Sequence, residues 1–413
     1  MEKSIKTLLL IFRAFKYRNF RLFFPGLFLS QIGVWLQNIA ISWLVYDLTK
    51  SAITMGTVLF FNAIPLFALS PFAGVLVDKF DRKKLLLSVQ ILYSIQAFLI
   101  TVLTLSGHIQ IWSIIVLGIF LNAVAAIDAP LRQSSFSLLV DDKEDLANAI
   151  SLNSSCFNAA RFIGPAIGGL LIAKYSVGIC FLFNFICAVP NILLVQIMKM
   201  DDVKSEEIEK EGIFEGLKNG FSYAFKHPPI YISQIYIALF SLLMLSYQLL
   251  LPIYTADILH AKADILGYLI GATGMGSLFT SFILAAKTSV KFMQRALYIG
   301  CVMASIAYIL VGLTHNFYFA AIMMFLVGTG ISLIITPQNV LIQNIMPDEI
   351  RGRILSINLL CFTGTTSFSS YLSGFLTHHL QIGNTFIVLG VSMLIIGTLL
   401  NFKLSKFDYS TKL

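Results

Sequence analysis

The sequence contains one arginine deep inside a long apolar stretch. Arg161 lies between residues 146 and 172, and Ser154, Asn158 and Arg161 follow an i, i+4, i+7 spacing. A helix places these three side chains on one face, with the guanidinium about 22 Å from the helix start. A cation at that depth can bind an anionic ligand, such as a carboxylate or catecholate, or it can join neighbouring helices through their carbonyl groups. The residues alone leave both interpretations open.

Polar side chains also interrupt three other apolar stretches. Each either contacts a ligand or makes a hydrogen bond between helices, which contributes about 0.6–2 kcal/mol inside a membrane. The candidates for ligand contact are Gln31, Gln37 and Asn38 in the first stretch, Tyr247 and Gln248 in the seventh, and Asn358 in the eleventh.

Composition indicates that lipid is the solvent of this chain. Of its 413 residues, 57% are hydrophobic and only 12% are charged, whereas soluble domains carry about 25% charged residues. The net charge of +8 does not indicate a nucleic-acid partner, because the Lys and Arg residues are spread over short loops instead of gathering on one surface.

Apolar runs of about 20 residues, the length that crosses a bilayer as a helix, recur along the chain. They predict an all-α membrane protein with twelve transmembrane helices and both termini on one side. The predicted spans are residues 22–48, 52–77, 85–105, 109–127, 146–172, 179–197, 230–251, 266–285, 297–313, 317–335, 354–376 and 385–402.

The distribution of basic residues predicts the orientation. With the N-terminus inside, outer loops hold only Lys50, Lys174 and Lys262 of the 29 Lys and Arg residues, and Arg161 lies within a span. All the others fall in inner segments, as in proteins whose cytoplasmic loops carry the positive charge. We therefore expect both termini in the cytoplasm, with the spans in the cell membrane.

Two other function classes lack support in these residues. No paired spacing of Cys and His predicts a metal site, and no histidine lies beside a nucleophile within a span, so we predict neither an enzyme nor a metal or other cofactor. The phosphate-binding pattern GxxxxGK[ST] is also absent from the sequence, which leaves direct ATP drive unsupported.

A polar connector divides the chain into two parts. Residues 199–229 separate a six-span half at 1–198 from a second six-span half at 230–413, and residues 212–225 have apolar residues at the spacing of an amphipathic surface helix. Similar loops follow the fourth and tenth spans, where AISLN at 149–153 matches ILSIN at 354–358. This similarity predicts a duplication of six spans.

Two short motifs stand out in the first half. Residues 74–85 read GVLVDKFDRKKL, in which Gly74 allows close helix approach, Asp78 can complement a helix N-terminus, and Arg82 can hold the loop at an anionic membrane surface. In the fifth span, Gly164, Pro165, Gly168 and Gly169 form a run of small residues beside a proline, which favours tight packing and bending.

These motifs resemble those of the major facilitator superfamily. The first is similar to its loop signature GxLxDxxGRK, with Asp81 in place of the glycine, and the second resembles a motif of its antiporters. Further segments resemble the branch that includes the enterobactin exporter: WLVYDLTKS at 43–51, APLRQSSF at 129–136, LANAISLNS at 146–154, FNAARFIGPAIGG at 157–169 and MPDEIRGR at 346–353.

The resemblance implies a monomeric secondary transporter whose two halves rock around a central cavity. It implies that Asp78 pairs near Arg351 and Arg353, and that Arg82 and Asp128 help to close the same inner gate. It also implies export of a small organic molecule, a siderophore or alternatively a drug, in exchange for protons. Every Asp and Glu falls in a loop or near a span end, so Asp47 and Asp128 are the only coupling candidates, and a structural pairing is the alternative for each. A non-transporting receptor is a third function class.

Overall fold

The computed structural model describes residues 12–140, 142–198, 213–285, 289–347, 350–407 and 409. Every regular element in these ranges is helical, which confirms the predicted all-α class. A short 3-10 turn, Arg13–Lys16, precedes the first α-helix. The α-helices are α1 (Arg18–Thr49), α2 (Ala52–Lys79), α3 (Arg82–Leu105), α4 (Ile111–Leu139), α5 (Lys143–Lys174), α6 (Val177–Ile197), α7 (Ile213–Lys226), α8 (Pro228–Met244), α9 (Tyr247–Asp257), α10 (Ala263–Ala285), α11 (Val290–Leu313), α12 (Phe317–Ile345), α13 (Arg351–Leu380) and α14 (Ile382–Leu404).

Eleven of the predicted spans coincide with segments that are long and apolar enough to cross a bilayer, among the residues described, with α8 and α9 together forming one of them. The remaining predicted span, 354–376, lies within α13, which is less apolar. Two of its threonine hydroxyls are satisfied locally, since Thr363 and Thr366 donate to carbonyl oxygens one turn earlier in the same helix at 2.8 and 2.7 Å. The count of twelve spans therefore stays a prediction.

Consecutive long helices run in opposite directions. We call the end of the bundle that holds Thr49, Lys174 and Asp257 the distal end. The other end, which holds Ile197 and the start of α8, is the connector end. We call α1 to α6 the first set of helices and α8 to α14 the second set. Buried apolar side chains form one large cluster that includes most of the second set, and a smaller cluster at the connector end of the first set.

The first and second sets of helices contact each other closely at the distal end. An added Cβ on Gly169 of α5 would lie 2.5 Å from the carbonyl oxygen of Ala263 in α10. In the same way, a Cβ on Gly56 of α2 would lie 2.7 Å from the carbonyl oxygen of Ser370 in α13. Backbone contact of this kind is possible only between small residues, so glycine pairs hold the distal end closed.

The seventh predicted span is broken between α8 and α9. Leu245 and Ser246 adopt a turn with ψ angles of −5° and −8°, and Tyr247 begins the second segment. Tyr308 of α11 donates a hydrogen bond of 3.0 Å to the carbonyl oxygen of Met244 beside the break. A broken helix is tolerated at membrane depth when another helix satisfies the freed backbone group.

The helix predicted in the connector is present as α7. Its residue Gly220 packs against Arg353 and Ile357 of α13, and Phe221 and Phe225 are exposed. An exposed aromatic pair on one side is typical of an amphipathic helix. Residues 199–212 of the connector lie outside the described part of the chain.

Candidate functional site

The helix break brings Tyr247 next to the arginine singled out in the sequence. The Arg161 guanidinium donates a hydrogen bond of 2.8 Å to the Tyr247 hydroxyl, although 86 residues separate the two in sequence. The same guanidinium lies 5.8 Å from the centre of the Trp35 ring in α1. Three helices thus surround one cation with two aromatic side chains.

Two buried N–H donors of this cluster have no hydrogen-bond partner among the described residues. They are Nε of Arg161 and Nε1 of Trp35. Unpaired buried donors are rare in folded proteins and are costly to leave unsatisfied. Because both donors lie beside a positive charge, an acceptor that binds here gains most when it is anionic.

A small cavity of about 20 Å³ adjoins the cluster. Its walls include Trp35, Asn38 and Ser42 of α1 and Gln248 of α9. Asn38 and Gln248 were predicted ligand contacts, and the structure brings them together at this cavity. Trp35 and Ser42 were missed, although they continue the spacing of Gln31 and Asn38 along one helix face at 31, 35, 38 and 42. That spacing is a usable signal in the sequence.

Ser154 and Asn158 lie on the helix of Arg161 but bond to that helix itself. The Ser154 hydroxyl donates to the carbonyl oxygen of Ile150 at 3.1 Å, and the Asn158 amide donates to the carbonyl oxygen of Ser154 at 3.0 Å. Both side chains remain at least partly exposed. They lie on the connector side of Arg161 along α5 and make no hydrogen bond to it in the described chain.

Gln37 lies in a different environment from its neighbour Asn38. Its amide donates to Gln96 of α3 at 3.1 Å and its oxygen accepts from Asn184 of α6 at 2.8 Å, with Gln37 only 1% exposed. The side chain therefore joins three helices of the first set, which is the interhelical alternative described for it above. Gln31 is half-buried on the face that carries Trp35.

Asn358 belongs to a similar network in the second set of helices. It accepts a hydrogen bond of 3.0 Å from Gln338 of α12 and donates one of 2.8 Å to Asn339. Gln338 also donates to the Ser233 hydroxyl of α8 at 3.1 Å. Asn358 is thus joined to α8 and α12 and is separated from the Arg161 cluster.

The glycine motif of the fifth span positions Arg161. A Cβ on Gly164 would meet Trp35 at 2.5 Å, and one on Gly168 would meet Ile39 at 2.6 Å, both in α1. Pro165 lies on the opposite side, against Gly267 of α10. The motif allows α5 to approach α1 and α10 together, and so carries the guanidinium to the indole.

A hydrogen-bonded pair lies between the Arg161 cluster and the distal end. The Tyr46 hydroxyl of α1 lies 2.6 Å from both carboxylate oxygens of Asp257 in α9. We call this pair the distal latch. Its neighbour Asp47, one of the two predicted proton-coupling residues, is exposed and forms a 2.7 Å ion pair with Lys50.

The other predicted coupling residue, Asp128, lies toward the connector end of α4. It is 4% exposed and forms an ion pair with Arg132 one turn later in the same helix. Of the other predicted gate residues, Arg82 begins α3 and Arg351 and Arg353 lie in the first turn of α13. The side chains of Gly74 and Asp78 lie outside the part of the chain that the structure describes.

A second carboxylate cluster at the connector end was not predicted. Asp145 of α5 forms ion pairs with Lys16 and, at 2.9 Å, with Arg13, and accepts a hydrogen bond of 3.0 Å from the Tyr17 hydroxyl. The hydrogen bond from Lys16 is the main cause that holds the pKa of Asp145 below its usual range. These contacts attach the N-terminal segment to the start of α5.

The described residues contain no group of three or more His, Cys, Asp or Glu side chains placed to hold a metal ion. Chemically, the arrangement around Arg161 suits noncovalent binding of an anion between helices, beside aromatic rings. The distal end is closed by glycine contacts and by the distal latch.

Comparison with known proteins extends over nearly the whole chain. Residues 11–412 match the model of a family described as transmembrane secretion effector. The staphyloferrin A transporter of Staphylococcus aureus (strain NCTC 8325 / PS 47) is 27% identical over 377 residues, which cover 91% of this chain and 93% of that protein. Macrolide efflux protein A of Streptococcus pyogenes is 21% identical over 406 residues, with coverage of 92% and 96%.

Solved structures share the fold at low sequence identity. A bacterial homologue of the human lysosomal transporter Spinster, in an inward-facing and unoccupied conformation, matches with a TM-score of 0.73 at 13% identity, covering 94% of this chain and 97% of that one. The structure of a mutant of the nucleoside transporter NupG matches with a TM-score of 0.74 at 12% identity, with coverage of 93% and 99%.

Proposed function

This chain belongs to the transmembrane secretion effectors of the major facilitator superfamily, which are multi-pass transporters of the cell membrane and not enzymes, and from that premise we propose that it exports a siderophore from the cytoplasm. Family membership makes the chain a major facilitator transporter. We infer the substrate class, the direction of transport and the coupling ion from the site and from the relatives.

The observation that carries the proposal is the environment of Arg161. A guanidinium at membrane depth is costly unless it has a partner, and here its one hydrogen-bonding partner in the described chain is the neutral hydroxyl of Tyr247. The positive charge is therefore not neutralised by a carboxylate within ion-pair distance. An anionic siderophore with planar or carboxylate groups would supply that charge and lie against the Trp35 ring.

The relatives support the same substrate class. The staphyloferrin A transporter is a siderophore transporter, and 91% of this chain aligns with it. At 27% identity the likeness supports a shared type of substrate more than a shared compound. Substrate preference within such a family depends on a few side chains in the cavity.

We further propose an alternating-access cycle for a monomer of twelve spans, in two six-helix halves with both termini in the cytoplasm. The distal end is then extracellular, and the glycine contacts and the distal latch close it in this cytoplasm-facing state. No cofactor enters the cycle. The residues that bind substrate from the cytoplasmic side are Arg161 and the exposed side chains of Ser154, Asn38 and Gln248.

Proton exchange would drive the export. Asp128 suits the coupling role better than Asp47, because a buried carboxylate beside one arginine can exchange that ion pair for a proton, whereas Asp47 is exposed and its proton would equilibrate with water on one side only. Asp128→Asn would abolish export driven by a pH gradient and leave exchange of substrate down its own gradient intact.

Multidrug efflux is the alternative, and one contact favours it. Trp35 and Phe157 stack edge to face at 5.8 Å beside Arg161, and Phe157 is 43% exposed. Exposed aromatic faces bind planar apolar compounds as readily as siderophores. The likeness to macrolide efflux protein A supports this alternative.

The deciding experiment compares siderophore in the medium and in the cytoplasm of an iron-starved deletion strain that carries no copy, the wild-type gene or Arg161→Ala. We expect accumulation inside the deletion strain, reversed by wild type and not by Arg161→Ala. An unchanged siderophore distribution together with increased drug sensitivity would favour efflux. Binding of siderophore to the purified protein without flux in proteoliposomes would indicate a receptor.

A further inference from the structure

A cavity of about 580 Å³ lies far from the Arg161 cluster, at the connector end of the second set of helices. It is lined by the start of α11, the end of α14, and Ser405 and Tyr409 in the segment that follows α14. A hydrogen bond of 3.2 Å from Gln294 to the carbonyl oxygen of Phe407 joins α11 to that segment. Neither the family nor the proposed export assigns a role to this cavity.

Two cations line the cavity without ionic partners. Lys291 and Arg295 lie one helical turn apart on α11, and neither makes an ion pair or a hydrogen bond with the rest of the chain in the structure described here. Lys291 lies in the first turn of its helix, where the macrodipole is itself positive. The two side chains and the helix end therefore create a site of positive potential.

A phenol lines the same cavity. Tyr409 as a whole is only 2% exposed, and its hydroxyl makes no hydrogen bond within the described part of the chain. Burial raises the pKa of this phenol, so the group stays protonated and can act as a donor. A free hydroxyl donor in a cavity lined by two cations is complementary to a phosphate oxygen.

Much of the remaining wall is apolar and lies at the outer surface of the helix bundle. Tyr298, Ile299 and Phe402 line it, and all three are exposed on the outer surface of the helices. Lys291, Arg295 and Ile299 lie on one face of α11, four residues and about 6 Å apart. This face therefore changes from charged at the helix start to apolar two turns later. An anionic phospholipid has the same order of phosphate and acyl chain.

We propose that this cavity binds an anionic phospholipid, with its phosphate between Lys291, Arg295 and Tyr409 and an acyl chain along Ile299 and Phe402. The site would lie in the leaflet at the connector end, where basic residues at span ends are attracted to anionic headgroups. The inference is independent of the exported substrate, since the same lipid would bind to a protein that transports a different compound.

The test measures binding of dioctanoyl phosphatidylglycerol to the full-length purified protein in a neutral detergent, by native mass spectrometry. Dioctanoyl phosphatidylcholine serves as the zwitterionic lipid of no net charge, and glycerol 3-phosphate serves as the headgroup-only ligand. We expect phosphatidylglycerol to bind and both comparison ligands to bind at least tenfold more weakly. Equal binding of glycerol 3-phosphate would overturn the lipid assignment in favour of a site for soluble phosphate compounds.

Substitutions then locate the site. Lys291→Gln with Arg295→Gln should weaken phosphatidylglycerol binding about 25-fold, because each basic residue near an anionic lipid contributes about fivefold. The matched control, Lys174→Gln with Lys262→Gln, removes the same charge at the distal end and should bind like wild type. Tyr409→Phe should weaken binding about tenfold. Unchanged affinity in the first double variant, with its elution volume and helicity intact, would overturn the proposal; if that variant does not fold, the two single variants decide in the same way.

Discussion

The hydroxyl of Tyr46 lies 2.6 Å from both carboxylate oxygens of Asp257, although 211 residues separate the two in sequence. This contact joins α1 to α9, and so joins the two sets of helices, on the distal side of Arg161. In the proposed export cycle, a substrate bound at Arg161 would leave toward the distal end only after this hydrogen bond breaks. Breaking the distal latch should therefore change the equilibrium between the closed and the open distal end.

Tyr46→Phe should increase the distal-open population. A hydrogen bond to a charged group contributes about 1.5–3 kcal/mol, so the equilibrium should shift toward the open state by about 10- to 150-fold. Spin labels on Lys50→Cys and Lys262→Cys would report the distance across the distal end by electron paramagnetic resonance. Tyr254→Phe is the matched control, because that hydroxyl donates to the carbonyl oxygen of Thr314 within the second set of helices. If Tyr46→Phe gave the same distance distribution as the wild type, the hydrogen bond between Tyr46 and Asp257 would not be what holds the distal end closed.

Gly169→Ala should prevent full closure of the distal end. Its new Cβ would lie 2.5 Å from the carbonyl oxygen of Ala263 and 2.8 Å from the Cα of Gly267, so α5 and α10 must separate. We expect transport to fall at least tenfold while the protein stays folded, measured as substrate flux in proteoliposomes. Gly352→Ala is the control, since nothing lies within 4 Å of its added Cβ. Both substitutions raise helix propensity. A loss of transport in Gly169→Ala alone would therefore show that the contact between α5 and α10 is responsible.

Asn184→Ala should mainly lower stability, whereas Asn38→Ala should mainly raise KM. Removing Asn184 leaves the buried oxygen of Gln37 without its donor, and we expect a loss of about 1–3 kcal/mol in stability with an unchanged KM. Removing Asn38, an exposed side chain at the cavity, should raise KM and leave stability within about 0.5 kcal/mol of wild type. Thermal unfolding and transport kinetics of the two variants separate these roles. A raised KM for Asn184→Ala would place Gln37 in the substrate path.

Asp145→Asn should release the N-terminal segment from α5. In the wild type the pKa of Asp145 is held below its usual range, so the attachment is complete above the unfolded pKa and is lost as pH falls through the lower folded value. The mobility of a spin label on Phe12→Cys, measured by electron paramagnetic resonance, should therefore be constant from about pH 5 to 8 and rise only in stronger acid. With Asp145→Asn the mobility should already be high at about pH 7, whereas Asp47→Asn should not change it. Low mobility of the label in the Asp145→Asn variant at neutral pH would show that other contacts hold the segment.

Much of the architecture could be predicted from the sequence because it depends on local properties. Runs of apolar residues predicted the positions of the long helices, and periodic apolar residues predicted the connector helix that became α7. The eleventh predicted span is the exception, because it is less apolar than the others. Two of its threonine hydroxyls donate hydrogen bonds to carbonyl oxygens of the same helix. Glycine and proline beside Arg161 indicated close packing, and the contacts of Gly164 with α1 agree with that expectation.

The site itself was only partly predictable. Helical spacing placed Ser154, Asn158 and Arg161 on one face, and the same rule would have added Trp35 to Gln31 and Asn38. Spacing within one helix could not assign Gln37, because its partners Gln96 and Asn184 come from two other helices.

By itself, the sequence determined the helices, the connector and the family, since these depend on composition, period and motifs within short segments. Only the tertiary structure decided which polar groups meet: Arg161 with Tyr247, and Tyr46 with Asp257. The physical reason is that a polar group inside a membrane must find its partner within about 3 Å, on whichever helix the packing brings there. Glycine contacts and a helix break, and not any local pattern at Arg161 or Tyr46, determine which helices those are.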